Sequence, residues 1–329
     1  MKKAPAFLAI GAAYCFFWAG TAETTWRKYT IAGQAQGTTY AITYYAMDNV
    51  VRKEAIDSIL AVIDSSMSLY KPYSLINSIN SSKAGTVEID EHFRNVLTKS
   101  LEIYRDSKGM FDVTVAPLVA LWGFGVKPVV GSPDSVEVRE ALGCVGMDKI
   151  RLKGNRLKKK KGCVQLDVNG IAQGYSVDVM ANYLERRGVI HYVVELGGEL
   201  RVKGTKPDGS PMRIGIERPT DRDAREVAVN AVIEVREGAI TTASNYHKSH
   251  HINPKTGYPF ATEIISATIY AKDAMTADGY DNVIMAMKAD DAIRFVHRRN
   301  NMEVYIVYKD FAGVVRDTMS AGFKELIAN

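Results

Sequence analysis

Cysteine is scarce in this chain. There are three in 329 residues, and Cys15 falls inside an apolar N-terminal segment, leaving Cys144 and Cys163. A zinc site needs further Cys or His at ligand spacing, and the sequence supplies none. The two remaining cysteines could pair in an exported chain or could each be a small buried residue. Internal repeats and Pro- or Gly-rich linkers are also missing, which leaves one large domain or two intertwined lobes. The hydrophobic content of 47% is ample for a sizeable core and excludes disorder. No nucleic-acid motif accompanies the basic residues, and no aromatic side chains alternate with them, so nucleic acid is not expected as a partner.

The formal charge of +5 is itself concentrated, because seven positive residues lie between Arg151 and Lys161 and two more are Lys2 and Lys3. The run Lys158 to Lys161 follows LKGNRL in an expected hairpin, where it reads as a solvated edge that discourages strand pairing. At the N-terminus, Lys2 and Lys3 precede an apolar segment from Phe7 to about Ala22, shorter than the roughly 20 residues of a spanning helix. It reads as a signal peptide over residues 1–22, with an uncleaved membrane anchor as the alternative. Tyr14 before Cys15 argues against lipoprotein processing.

The stretch from Leu166 to Glu199 organises the rest. A short apolar strand is expected to end at Asp167, followed by a turn at Asn169 and Gly170. A helix from about Gly174 to Arg187 comes next, stopped by Gly188. A second strand, Tyr192 to Leu196, leads into Gly197 and Gly198, where backbone can approach a ligand. One carboxylate and two bare turns at strand ends suit a phosphate-bearing ligand, and they also suit an ordinary strand-helix-strand unit.

Upstream, Trp26 to Tyr45 alternates as a hairpin turning near Gly33 and Gln34, with Gln36 to Tyr40 in its second arm. Helices are expected over Arg52 to Ser66 and from an Asp90 N-cap to Gly109. Phe111 to Gly125 joins a β-type run to Trp122-Gly123-Phe124-Gly125, which could wall a flat heterocycle or be plain core. A short helix follows Ser132-Pro133, and Arg213 to Glu217, Val229 to Val235 and Ala239 to Thr242 alternate as strands. The polar loop Ala243 to Phe260 holds His247, His250 and His251, half of the histidines; a metal site and a general base are both open readings. After a strand at Ile264 to Tyr270, a helix carries Asp278, Asp281 and Asn282 at i, i+3 and i+4, on one face. Two carboxylates and an amide oxygen suit magnesium or calcium better than zinc. The pair could also be solvated surface, although Val283 to Met287 favour partial burial.

Several segments, in this order, resemble the FAD:protein FMN transferases, also called ApbE-like flavin transferases. They are GTTY from Gly37, SLYKPYS from Ser68, FDVTVAPLVALWGFG, LDVNGIAQGYSVD, ELGGEL, MRIGIERP from Met212, HHINPKTGYP and ADGYDN. The resemblance covers nearly everything after residue 30. It implies a mixed α/β (α+β) fold of the ApbE flavin-transferase type, with T-fold-like β-sheets packed by helices, over residues 23–329. It also implies a bacterial protein that is exported, periplasmic or anchored to the outer face of the inner membrane. The activity implied is splitting of FAD with Mg2+ and attachment of FMN through its phosphate to a threonine of an exported or membrane redox protein, with release of AMP. An FAD pyrophosphatase and a non-catalytic flavin-binding protein are the alternatives.

Carried over residue by residue, the resemblance implies that Tyr70 packs beside the flavin and that Gln36 stands where a methionine commonly touches FAD. Trp122, Gly123 and Phe124 would contribute to the flavin pocket, and Asp167 would bind the adenosine side. Gln173 replaces a Lys or Glu contact, and Ile265 falls near another. Magnesium would be held by Asp278, Asp281, Asn282 where a threonine is usual, and the Gly170 carbonyl. His250 matches the histidine implicated in deprotonating the acceptor threonine, and His251 is assigned no chemistry. Asn253 and Lys255 replace the commoner Asp and Arg. All these departures keep hydrogen-bonding ability, so activity is expected to survive them.

Overall fold

The computed structural model describes residues 26–126, 131–217, 229–245 and 251–328. A first hairpin pairs β1 (Arg27–Ala35) with β2 (Thr38–Ala46). Helices α1 (Lys53–Met67) and α2 (Leu75–Ser81), strand β3 (Gly85–Glu88) and helix α3 (Glu91–Asp106) follow. Next come α4 (Ala116–Leu121), α5 (Ser135–Leu142), and the strands β4 (Ile150–Lys153) and β5 (Arg156–Lys159). The long α6 (Asn169–Arg186) leads to β6 (Tyr192–Leu196), β7 (Glu199–Lys203), β8 (Met212–Glu217), β9 (Val229–Val235) and β10 (Glu237–Ser244). The chain closes with β11 (Ile264–Ala271), α7 (Ala274–Met285), α8 (Ala289–His297), β12 (Met302–Lys309), β13 (Val315–Met319) and α9 (Ala321–Leu326).

One eight-stranded sheet, ordered β1-β2-β6-β7-β10-β11-β12-β13, is the backbone of the fold, and its neighbours pair antiparallel. Side chains alternate across a strand, so each central strand feeds two cores. Val304 and Ile306 of β12 join α3, α6 and α7 residues such as Phe93, Ile171 and Ile284, whereas Tyr305 and Val307 join the other face. There the β8–β9 ribbon, through Met212, Ile214 and Ile233, and Phe323 of α9 cover the sheet. Val177, Met180 and Leu184 of α6 pack on Ile42 and Tyr44 of β2 and on Ile56 of α1. The helical face therefore brings α1, α6 and α7 side by side over one sheet.

Several local expectations shift. The first hairpin turns at Gln36 and Gly37, not at Gly33 and Gln34: both turn residues take positive φ, 53° and 78°, as a two-residue loop matching strand twist requires. Gly33 remains in β1, where a Cβ would lie 2.5 Å from the Tyr40 ring. No strand ends at Asp167, since a lone bridge from Val115 to Gln165 stands in its place. Asp167 Oδ1 accepts the Asn169 N–H at 2.8 Å, so the expected Asn169-Gly170 turn is instead the first turn of α6, loosened at Gly170. The run from Phe111 does not form a strand either. Asp112 takes the Thr114 N–H and hydroxyl and the Met147 N–H, folding the segment into a turn before α4. Helix α2 was not expected; Ser74 caps it by accepting from Asn77 N.

The basic run also departs from expectation. β5 is the middle strand of a β3-β5-β4 sheet, and Lys159 is 1% exposed. Its Nζ donates to Ile79 O at 2.8 Å and Ser82 O at 3.0 Å, the end of α2, where unpaired carbonyls and the helix dipole favour a cation. Cys144 and Cys163 are disulfide-bonded, with Cα atoms 5.5 Å apart.

Candidate active site

The packing of α6 against α7 builds the centre of the site. Gly174 makes the close approach possible, because a Cβ there would sit 2.7 Å from the Asp278 Cβ. Its N–H donates to Asp278 Oδ2 at 2.8 Å. One turn earlier on α6, the Gly170 carbonyl accepts from Asn282 Nδ2 at 3.1 Å. The same Nδ2 donates to Asp278 O and to Asp281 Oδ1, both at 2.9 Å. An NH2 group held between a backbone carbonyl and a carboxylate occupies the electrostatic position of a cation.

The acidic side chains here are buried, Asp278 at 5% and Asp281 at 3% exposed. Burial pushes the Asp278 carboxyl up to about 7. It raises Asp281 well above the usual carboxylate range, with repulsion from Asp278 and Glu199 adding to it. Glu199, which the sequence did not single out, belongs to the same cluster: burial first, and the Asp278 charge second, push it up to about 9. Its Oε2 is buried without a hydrogen-bond partner among the described residues. Among those residues no group of three His, Cys, Asp or Glu side chains is disposed to cage a metal ion unaided. A hard cation that draws part of its shell from backbone, amide and ligand oxygens suits such a set. Uncompensated buried negative charge is what that cation relieves.

Asn169, beside this cluster, lines two cavities. The larger, about 1160 Å³, lies between the β1–β2 turn, α1 and the start of α6, and Gln36, Tyr70 and Gln173 line it. Gln36 is held by a 2.8 Å bond from Nε2 to Ser176 Oγ, and Tyr70, 66% exposed, stands at the rim. The smaller, about 240 Å³, is mostly apolar, and Phe124, Asp167, Gly170 and Asn282 line it together with Phe111, Val115 and Phe260. His251 is on the same wall, its Nδ1 3.0 Å from Asn245 Oδ1. Burial raises the pKa of Asp167.

Three of the expected contacts stand apart from both cavities. Trp122 Nε1 donates to Gly257 O at 2.8 Å, and the ring packs edge-on against Tyr258. It pegs α4 to the 251–260 loop within an apolar cluster of Leu118, Val138 and Ile252. Gly123 is in the turn that ends α4. Ile265 sits at the irregularity between β11 and β12, its carbonyl accepting the Asn245 N–H at 2.8 Å. His250 and His247 lie outside the described residues.

A family model described as the ApbE family matches residues 36–306. The chain belongs to the ApbE family. An FAD:protein FMN transferase of Haemophilus influenzae is 34% identical over 318 residues, 90% of this chain and 91% of the relative. Another of Vibrio cholerae is 32% identical, covering 91% and 92%. Among solved structures, the flavin transferase ApbE from Vibrio cholerae superposes with a TM-score of 0.84 at 30% identity, covering 92% of this chain and all of that one. The apo flavinyl transferase ApbE of Pseudomonas stutzeri gives 0.82 at 29%, covering 92% and 98%. The mixed α/β fold expected of an ApbE member is thus the observed one, and these relatives are transferases, the enzyme class the resemblance implied.

Proposed function

We propose that this chain is an FAD:protein FMN transferase that acts with magnesium on a threonine of a partner redox protein. The observation that carries the reading is the buried set of Gly170 carbonyl, Asp278, Asp281 and Asn282, of which Gly170 and Asn282 line the smaller cavity next to Asn169, a residue that lines both. FAD is long, with a flat ring system at each end of a diphosphate, and two cavities that share Asn169, with the acidic cluster buried behind Gly170 and Asn282, suit such a ligand. Magnesium held by those four residues would neutralise charge on the diphosphate oxygens.

The protein's own groups do the rest. Tyr70, Gln36 and Gln173 in one chamber, and Phe124 and Asp167 in the other, hold the dinucleotide so that its phosphorus faces the acceptor hydroxyl. The threonine Oγ bonds to the FMN phosphorus, the bond from that phosphorus to AMP breaks, and the hydroxyl proton passes to His250. The histidine's role rests on its match to the family motif. Export across the inner membrane, directed by residues 1–22 as leader or anchor, belongs to the same proposal. The Cys144–Cys163 bond supports it, since disulfides persist in oxidising compartments.

Co-expression with candidate acceptor domains, followed by mass spectrometry, tests the proposal. FMN phosphate on an acceptor threonine is expected with the native protein, and none with Asp278→Ala or His250→Ala. Transfer that survives both substitutions sinks the site assignment. AMP release without an acceptor identifies a pyrophosphatase, and tight FAD binding with neither product identifies a binding protein.

A further inference from the structure

The contacts between α6 and α7 form a ladder with one rung per turn. Gly170, Gly174 and Asp178 are four residues apart on α6, and they meet Asn282, Asp278 and the start of α7 respectively. Helices that pack along i, i+4 rows meet at one residue per turn, so each rung helps to fix the register. The first two rungs include the proposed magnesium ligands. The third does not, and it is the most elaborate.

Asp178 is buried, 7% exposed, and lines neither cavity. Its Oδ1 accepts the Ala274 N–H at 3.0 Å and its Oδ2 the Met275 N–H at 2.9 Å. These are the first two amides of α7, which lack partners within their own helix. Asp273 takes the third, at Thr276, at 2.8 Å. A carboxylate from another helix therefore caps α7, in the place where the helix dipole favours negative charge. Arg201 on β7 braces it from the sheet: Nη1 donates to Asp178 Oδ1 at 3.0 Å and Asn182 Oδ1 at 3.2 Å, and Nη2 reaches Glu185 Oε1 at 3.4 Å. From Ala274 to Asp278 is one helical turn, so the clamp sets the phase in which Asp278 meets Gly174 and, a turn later, Asn282 meets Gly170.

We propose that Asp178, braced by Arg201, is a positioning residue for the magnesium site: it sets the register of α7 on α6 and so the spacing between the Gly170 carbonyl and Asp278 and Asp281. This rests on the functional reading above. Outer-shell partners of metal ligands affect affinity by roughly 10- to 100-fold. Asp178→Asn keeps the shape, but one of the two acceptors becomes a donor aimed at an N–H.

The test is calorimetric titration of the FAD-loaded full chain with magnesium chloride, combined with amide hydrogen exchange. In Asp178→Asn the magnesium dissociation constant is expected to rise about tenfold or more. Exchange at Ala274 and Met275 quickens, and excess magnesium restores the transfer rate. Should Asp178→Asn not fold, Arg201→Gln, which leaves both acceptors in place, is expected to weaken magnesium several-fold and to quicken the same two amides. A folded variant with native magnesium affinity and native exchange at those amides overturns the proposal, even if its melting temperature has dropped. A native protein that binds no magnesium defeats the functional reading and this inference with it. That result is distinct from failure of the inference alone, in which native protein and variant bind equally well.

Discussion

The seam between α6 and α7 and the outer wall formed by α4 and the 251–260 loop both border the smaller cavity, yet they are held by opposite means. The seam is joined by polar bonds between residues 96 to 112 positions apart, from Ala274 and Met275 to Asp178, Gly174 to Asp278 and Asn282 to Gly170. It concentrates buried acids, Asp278, Asp281 and Glu199, that have no cationic partner among the described residues. The wall is an apolar cluster around Leu118, Val138, Val145 and Ile252, pegged by Trp122 and tied nearby by Cys144–Cys163. On the proposed reading, function sits on the seam at a cost in stability, and the wall carries stability with little chemistry.

The sharpest way to break this contrast is to remove an acid from the seam. Asp281→Ala is expected to lower FMN transfer about a thousandfold, the scale of losing an electrostatic stabiliser at developing charge. The same variant should be no less stable without metal than the native protein, because it removes a buried carboxylate that burial and its neighbours already disfavour. Transfer rate and metal-free melting temperature, measured together, check both halves. Loss of stability without loss of rate would make the seam ordinary core.

Opening the disulfide probes the other region. The two cysteines are 19 residues apart in sequence, so Cys144→Ser with Cys163→Ser should cost about 3 kcal/mol by loop closure in the unfolded chain. Around this bond, Gly146 N donates to Thr114 Oγ1 and Asp167 N to Val113 O, so loss of affinity for FAD should accompany the loss of stability. Magnesium affinity should stay within about twofold, since no rung of the ladder passes through the wall. Denaturant melts and magnesium titrations separate these effects.

The seam also sets a pH dependence. Asp178, pushed up to about 6, Asp278, up to about 7, and Glu199, up to about 9, are all raised first by burial. A raised carboxyl keeps its proton longer in the folded protein than in the unfolded one. Between about pH 4 and pH 9 the folded state therefore binds more protons, and stability falls as pH rises. The lowered carboxyls, Asp57, Asp208, Asp310 and Glu185, act below that window. The metal-free melting temperature should drop on the order of 5 °C from pH 5 to pH 9. Added magnesium, which requires the ionised form, should stabilise more at pH 9 than at pH 6. A flat metal-free profile would mean that the acids are not buried together.

The same contrast explains what could be read from sequence. Asp278, Asp281 and Asn282 were legible because helical spacing puts them on one face, and the apolar turns after them signalled burial. The strand alternation of β8 and β9 was legible for the same local reason, and β6 as an apolar run before two glycines. Glu199 and Asp178 were not, because their partners are set by which helix lies over which strand. Lys159 read as solvent-facing for lack of any signal that α2 ends above it. The hairpin turn was misplaced by the presence of Gly33, a glycine kept for the Tyr40 ring and not for the turn. The motif likeness brought Gln36, Tyr70, Gln173, Phe124 and Asp167 to cavity walls, but it could not tell a residue lining a pocket from one pegging its rim.

Trp122 is the smallest and most discriminating case. Its indole N–H is bonded to Gly257 O, and its ring lies against Tyr258, so Trp122→Phe keeps most of the apolar contact and loses one hydrogen bond. The expected cost is about 1 kcal/mol in stability, with FAD affinity changed by less than about twofold, because the side chain acts on the cavity only through the loop it holds. Fluorescence titration with FAD and a urea melt on the same variant check this. A tenfold loss of FAD affinity without loss of stability would move Trp122 into contact with the flavin and give the wall chemistry of its own.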